Sequence, residues 1–312
     1  MDTQELLEKA IDTSDLAAGG LLNAEQVNKF VDYVVDQTTL IRDARVIRMR
    51  APITQVAKIA TSGRVSKPKT EGVAPGELSE PTFGNVQLTA VGVITPFEAT
   101  YESLEDNIEG ESFEDTLIRV MAKQTATDLE ELALQGDTGS ADPYLALLNG
   151  WRTLADDGHV YDHGGVAPDK ALFSEMFKAL PDKYQRDYSD LRFYLAPARA
   201  QDYRSTLAES ATVIGEKFLL EAAPLTVFGI PVVSAPLIPT NLAGIPPVGG
   251  TGYSYALLAP RQNLLWGIHR EIRIDKDRDI MRGVNQYAIT TRVACEYEED
   301  DAVVVGINIA AA

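Results

Sequence analysis

Two groups of residues have the types and spacing that could bind a metal. His159 and His163 lie four apart, with Asp156, Asp157 and Asp162 beside them, a donor set that a zinc site could use. Gly158, Gly164, Gly165 and Pro168 surround them, so the segment reads as a loop and the i,i+4 geometry of a helix does not apply. Asp275, Asp277 and Asp279 have the opening spacing of a calcium loop, whose carboxylates would wrap a hard cation. The glycine that such a loop needs for its turn is Ile280 here, and the closing Glu position is Gln286. A solvated turn between strands is the simpler reading. Cys295, the only cysteine, falls on the alternating face of a predicted strand and reads as a small buried hydrophobe. Glu130-Glu131 reads as a solvated helix face. There is no Gly-rich phosphate loop, dinucleotide fingerprint, nucleophile elbow or His-Glu-x-x-His helix. No catalytic residue, cofactor or metal is expected.

Charge is more informative. Lys plus Arg number 28 and Asp plus Glu 46, a net of −18 over 312 residues. Such a surface repels phosphate backbones, which argues against a dedicated nucleic-acid binder; it suits simple solubility as well as a wall that faces DNA without adhering to it, and composition does not choose between the two. The sign is segregated. Arg42, Arg45, Arg48, Arg50, Lys58, Arg64, Lys67 and Lys69 stand against the single acid Asp43. Glu98, Glu102, Glu105, Asp106, Glu109, Glu111, Glu114 and Asp115 follow with no base among them, and Glu296–Asp301 adds five acids in six positions. Opposite blocks on one chain imply pairing, within a molecule or between copies. The expected inter-subunit contacts are Arg64, Lys67 and Lys69 of one copy against Glu102, Glu105, Asp106 and Glu109 of the next. One cysteine forms no intrachain disulfide and fits synthesis in a reducing cytosol. No apolar run reaches the roughly 18 residues of a membrane span, and the first ten residues do not read as a signal peptide.

These residues need elements to position them. Asn23 caps a predicted amphipathic helix bearing Val27, Phe30, Val31, Val34 and Val35. Ile53–Val65 and Val86–Phe97 are rich in Val, Ile and Thr and read as the arms of a hairpin, with a long polar tip over 66–85. A lone ribbon is marginal in water, so this one is expected to dock on a neighbouring subunit. Ser112–Gln135 reads as the longest helix: Ser112 caps it, Glu114 and Asp115 suit its positive end, and Gly136 stops it. From Trp151 the pattern is α/β, with a helix over 172–180, a strand over 191–195, a helix over 198–210 and a broken strand pair over 226–234. The Gly- and Pro-rich stretch 240–252 reads as a mobile surface loop. Trp266, Ile268, Ile272 and Ile274 alternate, as do Tyr287, Ile289, Thr291, Val293, Cys295 and Tyr297, and then Val303, Val305, Ile307 and Ile309.

The order of these elements, with several local stretches, resembles tailed-bacteriophage major capsid proteins of the Hong Kong 97-like family. Gly20-Leu21-Leu22-Asn23-Ala24-Glu25-Gln26 resembles the start of the family's mature arm. Leu104 to Gly110 resembles its linker into the long helix. Asp128-Leu129-Glu130 with Gly136-Asp137, then Leu147-Leu148-Asn149-Gly150, resembles the helix end and following turn. Phe228-Gly229-Ile230-Pro231-Val232-Val233, with Pro236 and Pro239, resembles a signature of the later half.

The resemblance implies an α+β fold with an N-terminal arm, extended β-hairpin loop, long spine helix, and peripheral and axial domains. The expected division is arm and leading helix 1–50, extended loop 51–98, peripheral part with spine helix 99–149, axial domain 150–258, peripheral return strands 259–301 and a C-terminal, axial strand 302–312. It further implies copies assembled as hexamers and pentamers of an icosahedral shell around packaged DNA, in a virion. A portal protein and a scaffold or decoration protein are the implied partners, with no membrane. Twenty residues precede Leu21, which favours a separate scaffold or none. Some relatives join a loop lysine to a neighbour's asparagine; Lys67 or Lys69 with Asn285 or Asn308 would be the pair here. An encapsulin-type nanocompartment of the same fold is the alternative, and a soluble α/β enzyme a more distant one.

Overall fold

The computed structural model describes residues 40–60, 66, 82–105, 112–155, 158–186, 188–208 and 225–312. The leading helix expected around Val27–Val35 lies outside them. In chain order the first elements are helix α1 (Leu40–Asp43), strands β1 (Arg45–Arg48), β2 (Ile53–Ala60), β3 (Thr82–Thr89) and β4 (Val91–Thr100), and helices α2 (Tyr101–Glu105) and α3 (Ser112–Gln135). Then come α4 (Trp151–Leu154), β5 (His159–Asp162), α5 (Lys170–Ala179), β6 (Leu191–Leu195), α6 (Pro197–Ala208), β7 (Thr226–Val227), β8 (Ile230–Ser234) and β9 (Leu242–Ala243). The long strands β10 (Thr251–Pro260), β11 (Leu264–Asp279) and β12 (Val284–Tyr297) follow, with β13 (Val304–Ile309).

A four-stranded sheet runs β1-β11-β12-β4. Helix α3 lies along the face of this sheet that carries Thr95 of β4 and Cys295 of β12. Thr125 Oγ1 meets Thr95 Oγ1 at 3.2 Å, and the Cys295 thiol packs 3.8 Å from the Ala133 carbonyl. Burial pushes that thiol's pKa up, so Cys295 is the inert hydrophobe its strand position predicts. The apolar stripe of α3 is broken in sequence because threonines occupy buried positions. Thr125 and Thr127 satisfy their hydroxyls on the Met121 and Lys123 carbonyls of the same helix, which lets them be buried without distant partners. Glu130 is not a solvated residue: it is 2% exposed and accepts the Leu40 N–H at 2.6 Å, fixing the first turn of α1 to α3.

The second sheet runs β5-β13-β10-β6-β8-β7, with β9 on the start of β10. Its central strand β10 is buried on both faces. Tyr255, Leu257 and Ala259 join a core that includes Trp151, Trp266, Tyr297 and Val305. Ala256 and Leu258 join the opposite core with Phe173 and Met176 of α5 and Tyr203 of α6. Trp151 and Trp266, 6.1 Å apart between ring centroids, bridge from α4 to the four-stranded sheet.

The expected hairpin differs in its second arm. β2 pairs with β3, from Ile53↔Thr89 to Ala60↔Thr82, whereas Val91–Thr100 leaves the ribbon and pairs with β12 along ten residues. The apolar run 86–97 hides this break because alternation resumes one residue later, past Ala90, whose N–H bonds the Pro52 carbonyl. The stretch 240–252 is a tied hairpin: Leu242 pairs with Tyr253, and Gly244 N–H bonds the Gly250 carbonyl at 2.9 Å.

Candidate inter-subunit surface

Exposure alternates along both ribbon strands, so the ribbon has two faces. Val56, Val86 and the fully buried Leu88 point inward onto Met49, Leu265 and Ala294. Leu265 and Ala294 occupy the face of the four-stranded sheet opposite α3, and the ribbon is what covers them. The ribbon therefore does not stand free, as its sequence suggested; its described part lies on its own body through one face. The other face, with Gln55, Ala57, Asn85 and Gln87, is solvent-facing, and on it Phe83 is 72% and Ile53 55% exposed.

Within one chain, the described charged residues form pairs of their own. Arg64, Lys67, Lys69, Asp106 and Glu109 lie outside the described residues, as does the side chain of Glu105. Glu102 is exposed on α2. Arg45 and Lys58 turn to the acidic run after β12: Arg45 meets Glu298 at 2.9 Å, and Lys58 lies 3.5 Å from Glu299. Described acids of the 98–115 block are served by the far end of the β11–β12 hairpin. Glu98 pairs with Arg282 at 2.7 Å, and Glu114 with Lys276, whose ammonium is held above the ordinary lysine pKa by that hydrogen bond. Charge segregation was the signal for these contacts, but it could not say which blocks meet.

Of the metal-like motifs, Asp156 and Asp157 lie outside the described residues, and the other members have structural partners. Asp275, Asp277 and Asp279 sit on β11, not in a loop; Asp275 pairs with Arg273, and Asp279 accepts the Met281 and Arg282 N–H groups. His159 lies on β5, a strand rather than the expected loop, and the His163 ring is bonded to the Ala167 carbonyl at 3.0 Å. Among the described residues no three His, Cys, Asp or Glu side chains converge as a metal group. Asn308 is unsuited to crosslinking. It is 3% exposed, its amide donates to Asp162 and the Ile245 carbonyl at 2.8 and 2.9 Å, and its oxygen accepts the Ile245 N–H. A neighbour's lysine would find no open side of that amide.

Phe228 is a second exposed aromatic, at 59%, on the two-residue turn between β7 and β8. Its φ is 52° and that of Gly229 is 83°, the pattern of a turn that favours Asn or Gly at the first position. A bulky side chain there is strained by about 1 kcal/mol or more. Phe228→Asn is expected to raise the melting temperature of the unassembled subunit by about 2 °C, measured by circular dichroism; a lower melting temperature would contradict the strain.

Against known proteins, the model of the phage capsid family matches residues 18–307. YqbE of Bacillus subtilis (strain 168), named as a prophage capsid protein, is 33% identical over 312 residues, covering 97% of each chain. Among solved structures, the capsid of an empty GTA particle superposes with a TM-score of 0.66 at 17% identity, over 97% of this chain and all of the other. A holo-SrpI encapsulin from Synechococcus elongatus gives 0.62 at 12% identity, over 97% and 96%. At those identities the structural matches establish a shared fold, the Hong Kong 97-like architecture expected from the order of elements.

Proposed function

This chain belongs to the phage capsid family, and from that membership we propose that it is a major capsid protein whose copies form the hexamers and pentamers of an icosahedral head enclosing DNA. The observation that carries this reading is the ribbon's outer face. Phe83 and Ile53 stand out from a strand pair whose inner face is already occupied, and burying two such side chains at each contact contributes about 1.5–3 kcal/mol apiece. Around a closed shell such contacts are repeated at every copy, so their contributions add. The net charge of −18 supports a wall that encloses DNA without binding it by sequence. A portal protein and a scaffold or decoration protein are the partners this role calls for, and the virion is its place. No catalytic step is assigned to it.

The encapsulin-type compartment rests on the same fold; the 33% identity to a prophage capsid protein favours the phage head. Negative-stain microscopy of the purified chain tests the proposal. Rings or closed shells are expected, and a monodisperse monomer at high concentration would overturn it. DNA in native particles supports the head, whereas a packaged enzyme in its place supports the compartment.

A further inference from the structure

We infer that Lys58 is a positioning residue for assembly: it fixes the angle at which the ribbon leaves the body by tying it to the Glu298–Glu299 turn, and so sets the diameter of the shell. The inference rests on the capsid reading and extends it to the control of size.

The tie is built from three sides. Lys58 Nζ donates to the Glu298 carbonyl at 3.0 Å and lies 3.5 Å from Glu299 Oε1. To reach them its stem must cross the partner strand, and its cross-strand partner is Gly84. A Cβ at Gly84 would lie 3.0 Å from Lys58 Cε and 3.1 Å from Cγ, so the stem lies directly against the glycine. Glu299 is itself held. Asn263 bonds its backbone N–H and carbonyl at 2.8 and 2.9 Å. Tyr184, from the segment between α5 and β6, donates to Glu299 Oε2 at 3.1 Å. Arg45 of β1 grips Glu298 at 2.9 Å.

One two-residue turn therefore joins the ribbon, the four-stranded sheet and the body of the seven-stranded sheet. Lys58 is the sixth residue of β2, about 17 Å from the ribbon's base at 3.3–3.4 Å per residue. A tether that far out restrains swing much more than one at the base. Hydrophobic cover from Leu88 and Val86 holds the ribbon down without fixing its direction, because apolar contact is non-directional; the charged bond supplies direction.

Lys58→Met keeps the stem and removes the ammonium. In the unassembled variant, amide hydrogen exchange of β2 and β3 is expected to speed up about fivefold, with β10 unchanged, and Lys58→Arg should restore the wild-type rate. In assembled samples, the spread of particle diameters by electron microscopy should widen to about twice that of wild type, again restored by arginine. Should Lys58→Met be insoluble, Lys58→Gln takes its place. Unchanged ribbon exchange overturns the inference whether or not shells form, and so does faster exchange with wild-type diameters. Failure of the wild-type chain to assemble while Lys58→Met loosens the ribbon would instead count against the capsid reading, and would remove the diameter half of the inference with it.

Discussion

Replacing Gly150 with alanine is expected to leave the chain insoluble or stably misfolded. Gly150 passes over the end of α3, where an added Cβ would sit 2.7 Å from the Ala133 carbonyl oxygen, 2.7 Å from the Gly136 nitrogen and 2.9 Å from the Leu132 carbonyl oxygen. All three are backbone atoms, so no side-chain rotation relieves the clash. Gly136 meets the mirror constraint, with the Leu148 carbonyl oxygen at 2.5 Å from its would-be Cβ. The two glycines are joined by the Gly150 N–H to the Gly136 carbonyl at 2.8 Å, and the Thr153 hydroxyl bonds the same carbonyl. Separating them would pull Trp151 out of the central core, for a cost of about 3 kcal/mol or more. That is a large part of the roughly 5–15 kcal/mol by which domains are stable. Soluble yield and a thermal melt check this; a variant with wild-type yield and melting temperature would show that the chain crossing has slack.

Phe83→Asp should have the opposite profile: a subunit that folds normally and does not assemble. Phe83 is exposed and lies on the face of the ribbon away from Leu88, so its loss costs the isolated chain less than about 0.5 kcal/mol. In a shell the new carboxylate would be desolvated at each contact without a partner, at about 1–3 kcal/mol or more per copy. Sedimentation velocity should give a monomer with the wild-type melting temperature and no shells. Shells at wild-type yield would place Phe83 outside the contacts.

The same chain crossing shows what was legible in the sequence. Gly136-Asp137 and Leu147-Leu148-Asn149-Gly150 could be matched to a family pattern, but their cause is spatial. The glycines are close because Asn149 Oδ1 accepts the Thr138 N–H and hydroxyl at 3.0 Å, holding the turn against the helix end. Helix α3 could be placed over Ser112–Gln135, since the signals at helix ends are local. β10 carries no alternating signal in its sequence, because Tyr255 to Ala259 is buried on both faces. Glu130 looked like a surface acid because nothing local reveals that Leu40, 90 positions away, donates its N–H there.

Charge pairing within the chain was legible in composition more than in detail. Segregated charge pointed to long-range pairing, and pairing is present. However, Lys58 and Arg45 found Glu299 and Glu298, which share a junction with them, and Glu98 found Arg282. Sequence separation carries no information about which block lies across from which once the chain folds back. The ribbon's marginal stability argued for cover; the structure supplies that cover to one face through Leu265 and Ala294 and leaves Phe83 on the other.

An electron cryomicroscopy reconstruction of the assembled particle tests this account most directly. Phe83 and Ile53 of each copy should be covered by side chains of an adjoining copy in an icosahedral lattice. A lattice in which both still face solvent would contradict it.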